Sequence, residues 1–302
     1  MSALKKTVYQ WISKRFMDGC SSYNSLEVRK SCRSKKQARS VFAEGNIPHA
    51  NGMIFINPLK AIVFAKTYGF PLVIKPNVSG FSRGSHFPIR NFQELWKAIF
   101  LAKLWWPSTV IEQYLEGNNY RVVVAQGEIM SVLQRYSPFV EGNGADTINT
   151  LIDTENLIRE DMGLYPCIHP LQKGSVTQRF LKKQNLTLES IPAKGEIITL
   201  FYRISLAPGG VVRTIDKQTL PTVNQELFKN VLGLFDANIL GIDVILEKGI
   251  ETDYRDQKCI FLEVNSRPYL KMHDYPRYGE KEDLTPYFES LNQLDISQTD
   301  VF

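Results

Sequence analysis

The stretch FLEVNSRPYLKMHDYP, from Phe261 to Pro276, decides how the chain is read, because an apolar run within it ends in Glu-Val-Asn. Successive side chains of a β-strand point to opposite faces of the sheet. The alternation predicts two faces: Ile260, Leu262 and Val264 on an apolar one, and Cys259, Phe261, Glu263 and Asn265 on the other. The second face therefore ends in two polar side chains.

A second stretch, ILGIDVILE at residues 239–247, alternates in the same way. It is expected to place Leu240, Ile242, Val244 and Leu246 on one face, and Ile239, Gly241, Asp243 and Ile245 on the other. The polar segment 247–258 would join the two strands as a long hairpin. Asp243 would then lie close to Glu263 and Asn265.

Neighbouring carboxylates repel each other, so either one of them takes up a proton or a cation lies between them. Two carboxylates and an amide oxygen suit a hard cation such as Mg²⁺. The pattern therefore favours a metal site at Asp243, Glu263 and Asn265. A solvated strand end with a turn-forming Asn is the alternative.

The composition is that of an ordinary globular protein, with 302 residues, of which 43% are hydrophobic and 22% charged. This length allows one large domain or two of ordinary size. The four cysteines form no C-x-x-C pair, which favours a reducing compartment. The N-terminus lacks the apolar core of a signal peptide, and no run of about 18 apolar residues is present. We therefore expect a cytoplasmic protein without a membrane span.

The net charge of +5 is unevenly distributed. Residues 1–40 hold ten basic and two acidic residues, so this segment carries +8 and the remainder −3. A basic arm can contact nucleic acid or acidic lipid. The helical spacing of Leu4, Val8, Trp11 and Ile12 instead favours an amphipathic helix that docks on the main body.

Hydrophobic periodicity predicts both helices and strands. The expected helices are Lys35–Gly45 after a capping Ser34, Pro58–Tyr68, Phe92–Leu104 and Asn224–Phe235. The expected strands are PLVIK (71–75), HFPIR (86–90), TVIEQYL (109–115), a hairpin over 119–137 that turns at residues 126–128, and GEIITLFYRIS (195–205). The most apolar stretch, LWKAIFLAKLWWP (95–107), is interpreted as a helix packed in a core rather than on a membrane. The mixture without strict β-α alternation indicates an α+β class.

A candidate phosphate-binding segment follows the strand PLVIK. Lys75 ends this strand and precedes the Gly/Ser loop PNVSGFSRGS (76–85), whose backbone N–H groups can face phosphate oxygens. The segment is not a P-loop, because no Gly-Lys-Ser/Thr occurs at the required spacing, and an ordinary turn is the alternative. The strand VIEQYL (110–115) can offer its backbone to an adenine, or it is simply a buried strand between two bodies.

The order of these motifs resembles the ATP-grasp superfamily, and most closely the ATP-grasp domain of cyanophycin synthetase and related amino-acid ligases. The most specific pieces are NYRVVVAQGEIMSVLQRYSPFVEGNGADTINTLI (119–152) and FLEVNSRPYLKMH (261–273). The resemblance covers residues 32–280. It implies two α+β subdomains that clasp ATP, a small one over 32–110 and a large one over 111–290. A basic extension (1–31) would precede them and a tail (291–302) would follow.

The resemblance also implies roles for matching positions. Residues for ATP would be Lys35 and Lys75 at the phosphates; Ser79, Gly80, Ser82 and Gly84 in the loop; Glu112, Gln113, Tyr114 and Leu115 at the adenine; and Asn119 at the ribose. Magnesium, or Mn²⁺ in its place, would be held by Asp243, Glu263 and Asn265. Lys75 and Arg203 would be catalytic, and Arg121, Arg135, Arg267 and His273 would bind substrate. Two positions depart from the pattern, since Asn119 replaces an acidic residue and Ser205 an Asn.

The activity implied is that of an ATP- and Mg²⁺-dependent carboxylate–amine ligase, which forms an amide or peptide bond through an acylphosphate on an amino acid or peptide. Alternatives are an ATP-grasp kinase and a non-catalytic ATP-binding subunit. The chain lacks the N-terminal domain and the Mur-ligase-like half of cyanophycin synthetase, so a freestanding ligase, a homo-oligomer or a ligase with a partner subunit is expected. The Gly/Ser loop is expected to be mobile without nucleotide. The cations Arg135, Arg267 and Lys271 favour an acidic donor.

Overall fold

The computed structural model describes residues 23–33, 35–77 and 84–294. Its helices are α1 (Leu26–Arg33), α2 (Lys35–Glu44), α3 (Pro58–Tyr68), α4 (Phe92–Trp105), α5 (Ile148–Asp161), α6 (Ser175–Lys182), α7 (Thr222–Leu234) and α8 (Thr285–Asn292). Its strands are β1 (Gly52–Phe55), β2 (Leu72–Pro76), β3 (His86–Ile89), β4 (Thr109–Gln113), β5 (Asn118–Ala125), β6 (Glu128–Tyr136), β7 (Phe139–Glu141), β8 (Ile197–Thr199), β9 (Val211–Ile215), β10 (Ile239–Leu246) and β11 (Cys259–Asn265). Short 3-10 helices cover Lys217–Thr219, Tyr254–Asp256 and Leu270–Asp274.

Local capping explains where several helices begin. The side chain of Asn57 accepts a hydrogen bond from the Leu59 N–H at 2.9 Å, with Pro58 in the first turn of α3. Proline suits this position because its missing N–H has no helical partner there. Asn91 caps α4 and Thr147 caps α5 in the same way, which satisfies N–H groups that the helices leave unpaired. The four expected helices in the main body are confirmed to within two residues at each end, whereas the expected cap Ser34 lies outside the described residues.

The smaller body is a four-stranded antiparallel sheet with the order β1-β4-β2-β3. Helices α3 and α4 cover one face of it. Their inward side chains and the sheet form one core: Phe55, Ala61, Phe64, Ala65, Leu72, Ile74, Ile89, Leu95, Ala98, Ile99, Ala102 and Ile111. The register pairs Val73 with Glu112 and Lys75 with Val110, so Lys75 and Glu112 lie on the opposite face.

The larger body is a five-stranded antiparallel sheet with the order β11-β10-β5-β6-β9. Helices α2 and α7 cover one face and bury Phe42, Phe228 and Phe261 with it. On the other face, the 3-10 helix Leu270–Asp274 and helix α8 pack on apolar residues of the sheet. A two-stranded β7-β8 sheet and helices α5 and α6 form an additional small core.

The expected hairpin of β10 and β11 is confirmed, with Asp243 opposite Glu263. The expected faces of β11 are wrong before Glu263. The register shifts after Asp243 so that Val244 pairs with Phe261, which leaves Leu262 as the extra residue of a β-bulge. Phe261 is consequently buried in the core, whereas Leu262 is exposed.

The expected strand over residues 195–205 is also wrong in most of its length. Only Ile197–Thr199 forms a strand, because its antiparallel partner β7 has three residues and Phe139, where β7 begins, pairs with Thr199. A strand needs a neighbour that accepts and donates its backbone hydrogen bonds. Beyond one further bond, from the Leu200 N–H to the Pro138 carbonyl at 2.8 Å, the chain leaves the ladder and continues irregularly.

The two bodies are divided at other residues than those expected for the subdomains. Helix α2 packs Ala38 and Phe42 into the core of the larger sheet, and strand β4 belongs to the smaller one. We therefore propose that the small subdomain covers residues 51–115. The expected docking helix at residues 4–12 and the last part of the tail lie outside the described residues. Among the helices that are described, none has the length and apolarity needed to cross a membrane.

Candidate functional site

A row of polar side chains crosses one face of the larger sheet, the face on which the 3-10 helix Leu270–Asp274 packs. The register sets Asp243 between Arg121 on β5 and Glu263 on β11, and sets Asn119 opposite Arg135 on β6. Because residues that lie opposite each other share a face, these side chains converge. The register thus brings together residues from two hairpins, β5-β6 and β10-β11, that are far apart in the chain.

Asp243 is the centre of this row and is almost fully buried. Its carboxylate accepts hydrogen bonds from Arg121 Nε and, at 2.9 Å, from Arg121 Nη2. Arg135 Nη2 lies 3.0 Å from Asp243 Oδ2, and Arg135 Nε donates to Asn119 Oδ1 at 2.7 Å. Two guanidinium groups thus balance the charge of Asp243, which the sequence alternation did not predict.

The charges in this row shift one another's pKa values. Burial alone would raise the pKa of Asp243, but Arg121 and Arg135 outweigh it and hold that pKa below its ordinary value. Burial lowers the pKa of Arg135, and Asp243 opposes the change. Arg135 remains charged, because a guanidinium group is not deprotonated in proteins.

Glu263 and Asn265 extend the row towards solvent at the end of β11. The Asn265 amide nitrogen lies 3.5 Å from Glu263 Oε1, and Glu263 is exposed while Asn265 is half-buried. No group of three or more His, Cys, Asp or Glu side chains with metal-binding spacing occurs within the described ranges. Any cation held here would therefore have two carboxylates and one amide oxygen as protein ligands.

A second cluster lies on the face of the smaller sheet opposite its helices. Lys75 and Arg39 both form ion pairs with the carboxylate of Glu112. Arg39 belongs to α2, which packs on the larger sheet, so this cluster links the two bodies. A Cβ at Gly52 would lie 2.7 Å from Glu112 Cγ, and glycine at this position leaves room for the cluster.

The predicted adenine segment follows β4. The Gln113 side chain accepts from the Asn51 N–H at 3.1 Å, and the Tyr114 N–H donates to the Pro71 carbonyl at 3.0 Å. The Tyr114 ring stacks on Phe87 with 5.5 Å between ring centroids, and Leu115 is buried. These contacts hold the segment against β2 and β3.

Arg203 lies in the irregular segment after β8. Its guanidinium lies 5.5 Å from the ring centroids of Phe201 and Tyr202, and its Nε donates to the Tyr202 hydroxyl at 3.2 Å. The Tyr202 ring in turn packs edge-on against Phe87 of the smaller sheet, at 5.5 Å. Arg203 is therefore placed where the larger body meets strand β3.

His273 lies beneath the polar row and is 1% exposed. Its Nδ1 is 2.8 Å from Ser131 Oγ, and its Nε2 has no hydrogen-bond partner among the described residues. Burial, with a smaller contribution from Arg121, lowers the pKa of His273 to about 3. The imidazole is therefore neutral at ordinary pH, and its contact with the sheet is through Ser131.

Several predicted residues are described only in part or not at all. Ser79, Gly80 and Ser82 lie outside the described residues, and so does the expected mobile part of the Gly/Ser loop. Lys35 begins α2. Gly84 has a φ of +70°, and a Cβ there would lie 2.9 Å from Pro76 Cγ, so glycine is required by both conformation and space.

Sequence reasoning missed a buried ionic network beside the site. Arg277 forms two hydrogen bonds with Glu155, at 3.0 and 2.9 Å, and Arg159 Nε donates to the same carboxylate at 2.8 Å. Arg159 Nη1 also donates to the carbonyls of His169 and Gly209, at 3.0 and 2.8 Å. The spacing of Glu155 and Arg159 on one helix face was a usable signal, whereas Arg277 is 122 residues away from Glu155.

Comparison with known proteins gives relatives but no match to a protein-family model. The chain is 30% identical over 258 residues to cyanophycin synthetase of Trichormus variabilis, which covers 84% of this chain and 28% of that protein. It is 28% identical over 272 residues to the glutathione biosynthesis bifunctional protein GshAB of Streptococcus agalactiae, covering 88% and 36%. The chain thus spans about a third of the length of these relatives.

Solved structures agree on the fold. The bifunctional glutathione synthetase from Pasteurella multocida superposes with a TM-score of 0.67 at 21% identity, covering 90% of this chain and 38% of that one. The ATP-grasp ligase PsnB, in complex with a variant of its minimal precursor, Mg and ADP, gives a TM-score of 0.51 at 13% identity, covering 98% and 68%. These solved structures show that the chain has the ATP-grasp fold, and in sequence it is similar to cyanophycin synthetase and GshAB.

Proposed function

We propose that the chain is an ATP-dependent C–N ligase that joins a carboxylate to an amine. The observation that carries this proposal is the polar row of Asp243, Arg121, Arg135, Glu263 and Asn265 on one sheet face. Such a row gathers charge of both signs at one place, as a reaction of phosphate groups requires. One relative of the chain is named cyanophycin synthetase and another a glutathione biosynthesis protein, which supports the same class of reaction.

The donor set of the row fits a magnesium ion. Glu263 and Asn265 offer hard oxygen atoms at the solvent side, and Asp243 stands opposite Glu263 in the register. We propose that these three residues hold Mg²⁺, or Mn²⁺ in its place. When bound, the ion would neutralise part of the negative charge of the nucleotide phosphates. Arg121 and Arg135 would keep Asp243 ionised and oriented.

The remaining chemistry falls to residues of the chain. An oxygen of the donor carboxylate attacks the γ-phosphorus of ATP and ADP leaves, which gives an acylphosphate. The amine nitrogen then attacks the acyl carbon, loses a proton, and phosphate leaves. Lys75 and Arg203 would stabilise the transferred phosphoryl group. Because Lys75 pairs with Glu112 in the structure, phosphate binding would replace one anionic partner by another.

Substrate recognition is proposed for the loop that follows β11. Arg267 and Lys271 are half-buried in this loop. Arg135, on the neighbouring sheet, forms an ion pair with Asp243. These cations favour an acidic amino acid or an acidic peptide end as donor. His273 would hold the sheet side of this site through Ser131 rather than contact the donor as an ion.

A product assay tests the proposal. The protein is incubated with ATP, Mg²⁺ and mixtures of amino acids and short peptides, and ADP, free phosphate and product mass are measured. We expect free phosphate and an amide in equal amounts. A phosphorylated product would instead indicate a kinase, and nucleotide binding without turnover would indicate a non-catalytic subunit.

Glu263→Gln provides the matched test of the metal ligands. It keeps the shape of the side chain but removes a charge, so we expect turnover to fall about a hundredfold and to need more Mg²⁺. Glu289→Gln, on an exposed position of α8, is the control and should behave as the parent protein. Unchanged turnover of Glu263→Gln at low Mg²⁺ would contradict the metal assignment.

A further inference from the structure

Helices α3 and α4 of the smaller body are apolar on both sides. Their inward residues form the core of the smaller sheet. Their outward residues Leu59, Val63, Trp96, Phe100 and Leu104 are between 47% and 69% exposed, and we name these five the outer apolar face. A surface helix normally carries polar residues on its outward side, and a helix that is apolar all round is normally covered. Exposed apolar residues concentrated on two helices that cover the same sheet mark a binding surface.

The charges of the two helices indicate what covers this face. Helices α3 and α4 carry the lysines Lys60, Lys66, Lys97 and Lys103 against a single carboxylate, Glu94. A second copy docked through the same face would bring these excess positive charges together, which is unfavourable. A surface with negative charge and an apolar interior complements both properties of the face.

We propose that the outer apolar face docks on an anionic lipid surface. Trp96, Phe100 and Leu104 would enter the boundary between headgroups and acyl chains, as the apolar side of interfacial helices does. The exposed Lys60, Lys66 and Lys97 would reach the headgroup phosphates, because their apolar stems can lie along the face while their ammonium groups stay in water. Lys103 instead donates to the Pro107 carbonyl at 2.7 Å. The helices would lie on the membrane surface, and α4 would then be both a core helix and a membrane-surface helix, a second role that its sequence did not favour.

Flotation with vesicles tests the proposal on the full chain. Vesicles of equal parts phosphatidylglycerol and phosphatidylcholine are compared with vesicles of phosphatidylcholine alone. We expect binding to the mixed vesicles, weaker binding to the neutral ones, and a decrease as salt is raised. Absence of binding to the mixed vesicles would overturn the proposal.

Two pairs of substitutions locate the surface. Phe100→Ser with Leu104→Ser keeps the net charge and should weaken binding at least about tenfold, because two apolar side chains no longer leave water. Lys66→Gln with Lys97→Gln should weaken binding roughly 30-fold, from about 1 kcal/mol for each lysine near the surface. The control is Leu157→Ser with Val176→Ser, two residues that are equally exposed on the larger body, and it should bind as the parent protein does.

The alternatives give different results. If Phe100→Ser with Leu104→Ser binds as tightly as the parent while its melting temperature is unchanged, the basic segment 1–40 or another surface carries the binding, and the proposal is wrong. Sedimentation equilibrium without lipid is measured in parallel. A stable dimer that this variant abolishes would show that the face is an interface between two copies, which would also overturn the proposal.

Discussion

Asp243 is buried between two guanidinium groups, and this arrangement governs the site at the scale of single residues. A buried ion pair is held by the mutual attraction of its members, and each member is costly alone. The residue that would bind a metal is thus also the residue that keeps Arg121 and Arg135 in place. Structure and chemistry depend here on the same carboxylate.

Replacing this carboxylate should destabilise the protein. Asp243→Asn removes the carboxylate charge that both guanidinium groups contact, so we expect the free energy of unfolding to fall by about 3–5 kcal/mol. Urea denaturation at neutral pH measures this loss. Asp161→Asn, on an exposed carboxylate at the end of α5, is the control and should change stability by less than about 0.5 kcal/mol. A loss as small as that of the control would mean that the pairing contributes little.

The same substitution has a pH signature. The pKa of Asp243 in the folded protein lies below the ordinary value of 3.8. Its contribution to stability is therefore fully present above that value and is lost as the pH falls through the folded pKa. The parent should lose stability below about pH 4 more steeply than Asp243→Asn.

His273 predicts a pH effect in a higher range. Its pKa falls from 6.5 to about 3 on folding, so the unfolded chain takes up a proton between these values and the folded one does not. Stability is fully present above the unfolded pKa and decreases as the pH falls towards 3. His273→Gln should remove this slope between pH 6 and pH 4. Urea titrations at several pH values check it, and equal slopes in parent and variant would show that His273 takes up a proton in the folded protein.

At the scale of elements, sequence alternation predicted the pairing of β10 with β11 but not the bulge at Leu262. Alternation assumes a regular pleat, and one extra residue reverses the face of every side chain before it. Phe261 is held in the core by Phe42 and Phe228, at ring-centroid distances of 5.9 and 5.7 Å. Those contacts come from helices distant in sequence, so the strand alone carries no sign of them.

The segment after β8 also shows that alternation within one segment does not predict its partner strand. Its alternating residues suggested a strand, but regular structure depended on the length of β7. The segment returns to the larger sheet through a tight turn in which a Cβ at Gly210 would lie 2.4 Å from the Ser205 carbonyl oxygen and 2.6 Å from that of Tyr136. Backbone atoms on both sides leave no room for relaxation by side-chain rotation.

Gly210→Ala should therefore destabilise the protein by about 1–3 kcal/mol, because the added methyl group forces the backbone apart. Gly233→Ala in α7 is the matched control, since nothing lies within 4 Å of its Cβ position. Alanine there should stabilise the helix by about 0.5–1 kcal/mol. Thermal and urea unfolding of both variants measure the difference, and equal effects would contradict the close packing of this turn.

At the scale of the whole molecule, the order of motifs predicted the ATP-grasp fold, but it placed the residues of α2 in the small subdomain. The apolar residues of α2 fit either core by their spacing alone. The structure assigns it to the larger sheet through Phe42, while Arg39 on the same helix reaches Glu112 in the smaller one. The two bodies are thus connected by charge as well as by the chain.

A double-mutant cycle measures this connection. Arg39→Ala and Glu112→Gln, alone and together, should show a coupling of about 1 kcal/mol, since the pair is partly shielded from water. The control cycle combines Arg39→Ala with Glu116→Gln. Glu116 pairs instead with the exposed Arg90, so the effects should add. Additivity in both cycles would mean that the contact between the bodies contributes nothing to stability.

The outer strands of the larger sheet have a consequence for how peptides can approach it. The Phe261 N–H of β11 donates to the Pro48 carbonyl at 2.8 Å, and on β9 the Thr214 N–H donates to the Tyr278 carbonyl at 3.0 Å. Both edge strands of the sheet thus form hydrogen bonds with other backbone segments of the protein, which is one way in which proteins prevent edge-to-edge aggregation. A peptide cannot extend this sheet as an added strand at those points. Recognition of a peptide would have to come from side chains, and so would depend on its sequence more than on its extended shape.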